Sequence, residues 1–274
     1  MTQSDGVLNV NPADVLLPYP NDVTIMVEGA KRVITANGIP EHPVGPFPTR
    51  GNPNAIEPQA YRYEVPAEPA LAIGITSAGL HNFGIAVNGV PFDPHAAEWY
   101  LGERGSRWQY AVLSGAISLG LDANYAHVQP NGAYHYHLWP TELLFDLGAT
   151  ANSHSPLIGW AADGFPIYAL YGYVDPMDPG SGIVQLTSSY RLRPGNRPTG
   201  SGQPGGTYDG TFLADYAHVE GAGDLDECNG RTGVTPEFPD GTYAYFLSAN
   251  WPVVPRCYRG APDPSFVHER GPGR

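Results

Sequence analysis

The chain has 274 residues, 42 % apolar and 15 % charged, with 34 Gly and 29 Pro. This composition fits one loop-rich, β-dominated globular unit and excludes fibrous and disordered classes. A formal net charge of −13 excludes recognition of nucleic-acid backbones or anionic membranes, which begins with a basic surface. No apolar run reaches bilayer length, and "MTQSDGVLNVNPADV" has neither a basic start nor an apolar core, so the chain reads as soluble.

In chain order, "DVTIMVEGAKRVITANG" (22–38) reads as two β-strands around a turn at Glu28 to Lys31, followed by a turn at Asn37-Gly38. "ALAIGITSAG" (70–79) and "HNFGIAVNGV" (81–90) are two further strands, the second ending in the turn pair Asn88-Gly89. "DPHAAEWYLG" (93–102) has the marks of a helix: Asp93 as N-cap, Pro94 at the first helical position and Gly102 past the end. "TELLFDLGA" (141–149) is a second short helix with Thr141 as its cap. "LIGWAADGFPIYALYGY" (157–173) is a strand, an Asp163-Gly164 turn and another strand. From 175 to 210 the composition turns to Gly, Pro, Ser and Thr, marking a long surface excursion. Strand-like sequence resumes after it in the same style. The reading is therefore a single mainly β, sandwich-like domain over 1–274, with a core at about 20–260 and a tail at 261–274; a linker between two domains is the competing reading. Cys228 and Cys257 are the two cysteines. A bridge between them fits an oxidising compartment and hence a secreted or periplasmic protein, whereas two separate buried thiols would not.

A degenerate repeat runs through the second half. "LDANYAHVQPNGAYHYHLWP" (121–140) and "LDECNGRTGVTPEFPDGTYAYFLSANWP" (225–252) share Leu-Asp, a turn ending in Gly, Tyr-x-Tyr-x-Leu and Trp-Pro. Strand alternation puts Tyr134, Tyr136 and Leu138 on one face, matching Tyr243, Tyr245 and Leu247. The other face carries His135 and His137 in the first copy but Ala244 and Phe246 in the second, so the tyrosine face reads as packing and the imidazole face as an optional addition.

Tyr134-His135-Tyr136-His137, with "NGIPEH" (37–42), "NPNAI" (52–56), "AVNGVPFDP" (86–94), "GLDANYAHVQPNGAYHYH" (120–137), "HSPLIGWAADGFPIYALYG" (154–172) and "DLDECNGRTGVTPEFPDGTYAYFL" (224–247), resembles the YHYH domain family. The resemblance covers about 37–260. It implies a β-rich domain commonly found in exported proteins and assigns no activity.

His-x-His on a strand places two imidazoles on one face about 7 Å apart at Cα, within reach of one metal ion. His127 precedes the turn that leads into that strand, so a hairpin brings it toward His135 and His137. These three are the expected metal ligands, with His154 and Asp163 as candidates for a fourth ligand or general base. The competing reading is a half-exposed strand that alternates polar and aromatic residues. Neutral imidazole suits zinc first, with copper or iron as alternatives. Among the other histidines, His42 is expected in a surface turn, His81 at a strand start, His95 in solvent, His218 beside Glu220 or Asp224, and His268 in the tail. Asp224, Asp226, Glu227 and Asn229 could offer oxygens to calcium, without EF-hand spacing. No nucleophile elbow, phosphate loop or dinucleotide fingerprint occurs. The expected function is a metal-dependent hydrolase or lyase using activated water, or an oxidoreductase if the metal is copper or iron. The substrate is a small molecule or a polymer, and the assembly a monomer or homodimer. The alternative is a non-catalytic extracellular module that contacts glycan or protein through its 5 Trp and 17 Tyr, with a structural metal or none.

Overall fold

The computed structural model describes residues 10–267, so His268 lies outside the described residues. The fold is mainly β, with one short α-helix, Thr141–Asp146, among the described residues. Strands Val23–Glu28 and Lys31–Ala36 form the expected hairpin, with Glu28 opposite Lys31, and Tyr61–Pro66 adds a third antiparallel strand. The core side of this sheet presents Ile34, Tyr63 and Val65, all buried. Tyr63 stacks on Phe266 at 4.1 Å between centroids, so the start of the supposed tail is packed into the domain. Arg32 lies over the Trp160 ring at 3.4 Å, joining the small sheet to the large one.

The large sheet has eight strands in the order Gly230–Gly233, Thr242–Leu247, Pro166–Ala169, Gly159–Ala161, Gly84–Ala86, Pro91–Phe92, Tyr134–Tyr136 and Ala126–Val128. Its order is the same from either edge: a hairpin, a parallel step, a second hairpin, then the central antiparallel pair. The parallel steps match Phe92 with Tyr136 and Ile167 with Tyr245. The central pair sets Ile85 opposite Trp160. Gly84 and Gly159 flank this point, and a Cβ on either would fall 2.5 Å from the carbonyl of Trp160 or Ile85, so the close approach at the pseudo-two-fold requires glycine twice. The inner turns also repeat. Val90 O accepts from Ala86 N–H as Phe165 O accepts from Ala161 N–H, both at 2.9 Å.

Four local expectations change in the folded chain. Of "ALAIGITSAG" only Thr76–Ser77 forms a strand, paired with Cys257–Tyr258; the stretch before it is held by a single backbone bond from Ala72 N–H to Arg259 O and leaves Leu71, Ile73 and Ile75 exposed. "DPHAAEWYLG" is not an α-helix. Asp93 Oδ1 does accept from His95 N–H at 2.9 Å, as a cap would. However, Asp93 N–H donates to Tyr136 O and extends the parallel ladder, and only a 3-10 turn follows at Tyr100–Gly102. His95 is consequently buried rather than solvated. The helix Thr141–Asp146 forms, but Thr141 does not cap it; Asn124 Oδ1 accepts from Glu142 N–H at 2.9 Å in that role. The 175–210 excursion is more than surface loop. It contributes strands Ile183–Gln185 and Tyr190–Leu192, buries Leu186, and ties Arg197 to the buried Asp215 and to Asp209.

Candidate metal centre

The turn before the histidine strand is organised by one buried carboxylate. Asp122 Oδ1 accepts from Asn124 N–H at 2.9 Å and Ala126 N–H at 3.2 Å, while Oδ2 accepts from Gly45 N–H at 2.9 Å and the Tyr134 hydroxyl at 2.6 Å. Tyr125 takes a positive φ of 51°, and its carbonyl accepts from His137 N–H at 2.9 Å. The hairpin thus sets His127 directly opposite His135. Tyr136 faces away from the imidazoles, as alternation requires, and its hydroxyl meets Asn88 Nδ2 at 2.9 Å and His42 Nε2 at 2.6 Å. His42 is therefore a buried partner of Tyr136 rather than a surface-turn residue.

On the opposite face three ring nitrogens converge. His137 Nε2 lies 3.0 Å from His135 Nε2 and 3.1 Å from His127 Nε2. The far nitrogens of two rings are held by backbone: His127 Nδ1 is 2.6 Å from Leu119 O and His135 Nδ1 is 3.2 Å from Ala133 O. A ring that donates from Nδ1 to a carbonyl leaves its Nε2 lone pair free for a ligand, the orientation found around protein-bound metals. Burial, followed by the neighbouring His135 and His127, holds His137 well below its ordinary pKa. Burial foremost lowers His127 as well. Both are therefore neutral near pH 7 and able to bind a cation. Tetrahedral zinc places imidazole nitrogens about 2.0–2.1 Å from the ion, and so about 3.3 Å apart, close to the spacing here.

The triad lies where two cavities meet, one of about 420 Å³ lined by His127 and His137 and one of about 400 Å³ lined by His135. Asp93 and Gln129 line both. The register explains why Asp93 is there: it follows Phe92 as His137 follows Tyr136, on adjacent parallel strands. Burial raises its carboxyl to about 7. Gln129 Nε2 stands 3.5 Å from His135 Nε2. The helix expectation hid Asp93; the signal available in the sequence was its place at the end of "AVNGVPFDP".

His154 and Asp163 are not brought to the triad. Both belong to the other half of the sheet, where the Asp122 turn recurs around Asp226. Asp226 Oδ1 accepts from Cys228 N–H at 2.9 Å and Gly230 N–H at 3.0 Å, and Tyr243 bonds its carboxylate at 3.1 Å. The positions of His127, His135 and His137 then fall on Arg231, Ala244 and Phe246. Arg231 lies over the Phe246 ring at 5.5 Å and donates to Tyr173 O at 2.7 Å. His154 packs against Tyr168, Tyr173 and Phe246. Asp163 occupies the position of Asn88: its Oδ2 accepts from the Tyr245 hydroxyl at 2.5 Å and Gly260 N–H at 2.8 Å.

The carboxylates considered for calcium face donors of the chain itself. Asp224 accepts from Thr187, and Glu227 lies 3.2 Å from Arg259; the Asn229 side chain is buried, its Nδ2 donating to Ser248 while its Oδ1 has no hydrogen-bond partner. Among the described residues, only the three histidines form a group of three or more His, Cys, Asp or Glu with converging ligand atoms. Cys228 and Cys257 are joined in a disulfide, and no described helix is long and apolar enough to cross a membrane.

A large mixed sheet carrying three converging imidazoles on one edge hairpin defines a β-rich protein with a histidine-triad site. The chain belongs to the YHYH family, described as YHYH protein, whose profile matches residues 62–260. No curated protein and no solved structure matches the chain.

Proposed function

We propose that this is an exported metal-dependent enzyme whose mononuclear centre is held by His127, His135 and His137, with zinc as the first-choice ion. The convergence of three imidazole nitrogens, one from each ring, within 4.8 Å of one another carries the reading. Three protein ligands beside open cavities leave room for a further ligand, the pattern of catalytic rather than closed structural zinc sites. Zinc so held is a Lewis acid that activates water at neutral pH, which suits a hydrolase or lyase; copper or iron would direct the site to oxygen chemistry.

The chain's own groups then have defined work. Leu119 and Ala133 carbonyls fix the His127 and His135 rings. Asp93 Oδ1 is engaged by His95 N–H, so its Oδ2 is the atom that takes up or returns a proton at the cavity wall. Burial raises its carboxyl in the metal-free protein to about 7, which suits Asp93 to carry a proton. Gln129 offers an amide to orient a bound group. The Cys228–Cys257 disulfide supports export. The binding-module alternative is less well supported, because none of the five Trp is exposed.

Element analysis of protein purified without chelator tests the proposal. One equivalent of a transition metal, lost in His135→Ala with His137→Ala, is the expected result. Absence of metal from correctly folded wild-type protein, or unchanged metal in the double variant, refutes it.

A further inference from the structure

We infer that the paired cavities take a neutral polyhydroxylated chain, a short glycan, laid across the histidine triad; this rests on the enzyme reading of that site. The two cavities share Leu80, Asp93, Gln129 and Pro130, so a ligand filling both must pass the imidazoles that lie between them. Two lobes on either side of a reactive centre suit an extended molecule better than a compact one.

The walls specify its chemistry. Asn52, Asn54 and Gln129 line the first lobe; Asn82, Asn131 and again Gln129 line the second. A carboxamide both donates and accepts, which matches the dual character of a hydroxyl group. Nothing here forms a clamp for an anion: Arg104 shares its lobe with Asp93 and Glu98, and the second lobe has no cation. Tyr61 gives that second lobe an aromatic side chain.

Two buried atoms point to the same kind of partner. Asn52 is 5 % exposed, its Nδ2 donates to Val128 O at 2.9 Å, and its Oδ1 has no hydrogen-bond partner. The Val128 bond fixes which end of the amide is oxygen. His95 is 8 % exposed, and its Nδ1 likewise has no hydrogen-bond partner. Burial holds His95 neutral, with a pKa lowered to about 2. Buried polar atoms are rarely left unpaired, and hydroxyl groups can satisfy an amide oxygen and a neutral imidazole alike.

The test begins with metal content by element analysis. Neutral gluco-, xylo- and N-acetylglucosamine oligosaccharides, from disaccharide to hexasaccharide, are then titrated calorimetrically against the protein as purified. Uronic-acid oligosaccharides and a Gly-Ser peptide are the comparison arms. The expected result is binding of at least one neutral series, tightening with length until both lobes are filled. Asn52→Ala should weaken it by about tenfold with metal content unchanged. No binding of any neutral series, tighter binding of the uronic acids or the peptide, or a folded Asn52→Ala that binds like wild type would overturn the inference. If Asn52→Ala does not fold, the length dependence in the wild type decides. Glycan binding without metal keeps this inference and sinks the enzyme reading; metal without glycan binding does the reverse.

Discussion

Replacing Asp122 by Asn separates the scaffold from the site. Asp122 is fully buried and takes four hydrogen bonds, two at each oxygen. An amide of the same shape keeps only one acceptor atom. If its nitrogen occupies the Oδ2 position, Gly45 N–H is left without an acceptor and the Tyr134 hydroxyl must turn to accept. If it occupies the Oδ1 position, Asn124 and Ala126 N–H are stranded. Either arrangement leaves at least one buried donor unpaired and removes charge-assisted bonds, for a cost of about 2–4 kcal/mol. Because this turn carries His127 and positions His137 through Tyr125 O, zinc affinity should fall by about 10–100-fold, the usual effect of disturbing groups behind metal ligands. The pseudo-two-fold supplies the control. Asp226→Asn disturbs the equivalent turn where no imidazoles stand, so it should cost stability and spare metal affinity. Urea unfolding in chelator reports stability, and competition with a chromophoric chelator reports zinc affinity. A wild-type urea midpoint for Asp122→Asn, or equal loss of metal in both variants, would refute the reasoning.

Acidification should destabilise the metal-free protein. His127 and His137 have folded pKa values below the ordinary imidazole range, so the unfolded chain binds more protons as pH falls below about 6.5. Their contribution is complete above that pH and is lost on descent toward the lowered folded values; equal pH slopes for wild type and His137→Leu in chelator would count against it. Asp93 acts oppositely: with its carboxyl at about 7, stability declines as pH rises from about 4 to 7, and Asp93→Asn should abolish that decline in urea midpoints. Cys228 and Cys257 are 29 residues apart, so breaking the disulfide as Cys228→Ala with Cys257→Ala should cost about 3–4 kcal/mol, read by denaturant unfolding. Arg197→Leu leaves Asp215 buried without its cation and should cost about 3–5 kcal/mol. Limited proteolysis between 196 and 213 should then accelerate, and unchanged cleavage would show that the excursion does not depend on this pair.

Much of the site could be read from a period of two. Alternation along Tyr134 to His137 assigned tyrosines to the packed face and imidazoles to the other, and the short turn after His127 predicted its return to them. The same rule identified Tyr243, Tyr245 and Leu247 as core, while the Asn88-Gly89 and Asp163-Gly164 pairs marked turns. These are constraints within one strand or hairpin, where a few residues fix the geometry. Which strands lie side by side is decided elsewhere. The parallel step that sets Phe92 against Tyr136 carries Asp93 to the cavities beside the triad, and the matching step on Ile167 and Tyr245 leaves Asp163 bonded to a tyrosine in the other half. Local signals at Asp93 to Gly102 favoured a helix, but a ladder hydrogen bond to Tyr136 and burial of His95 outweighed them. Sequence by itself thus determined the faces and the three imidazoles. Only tertiary structure decided their neighbours, because strand pairing joins residues distant in the chain and leaves no periodicity to mark the partner.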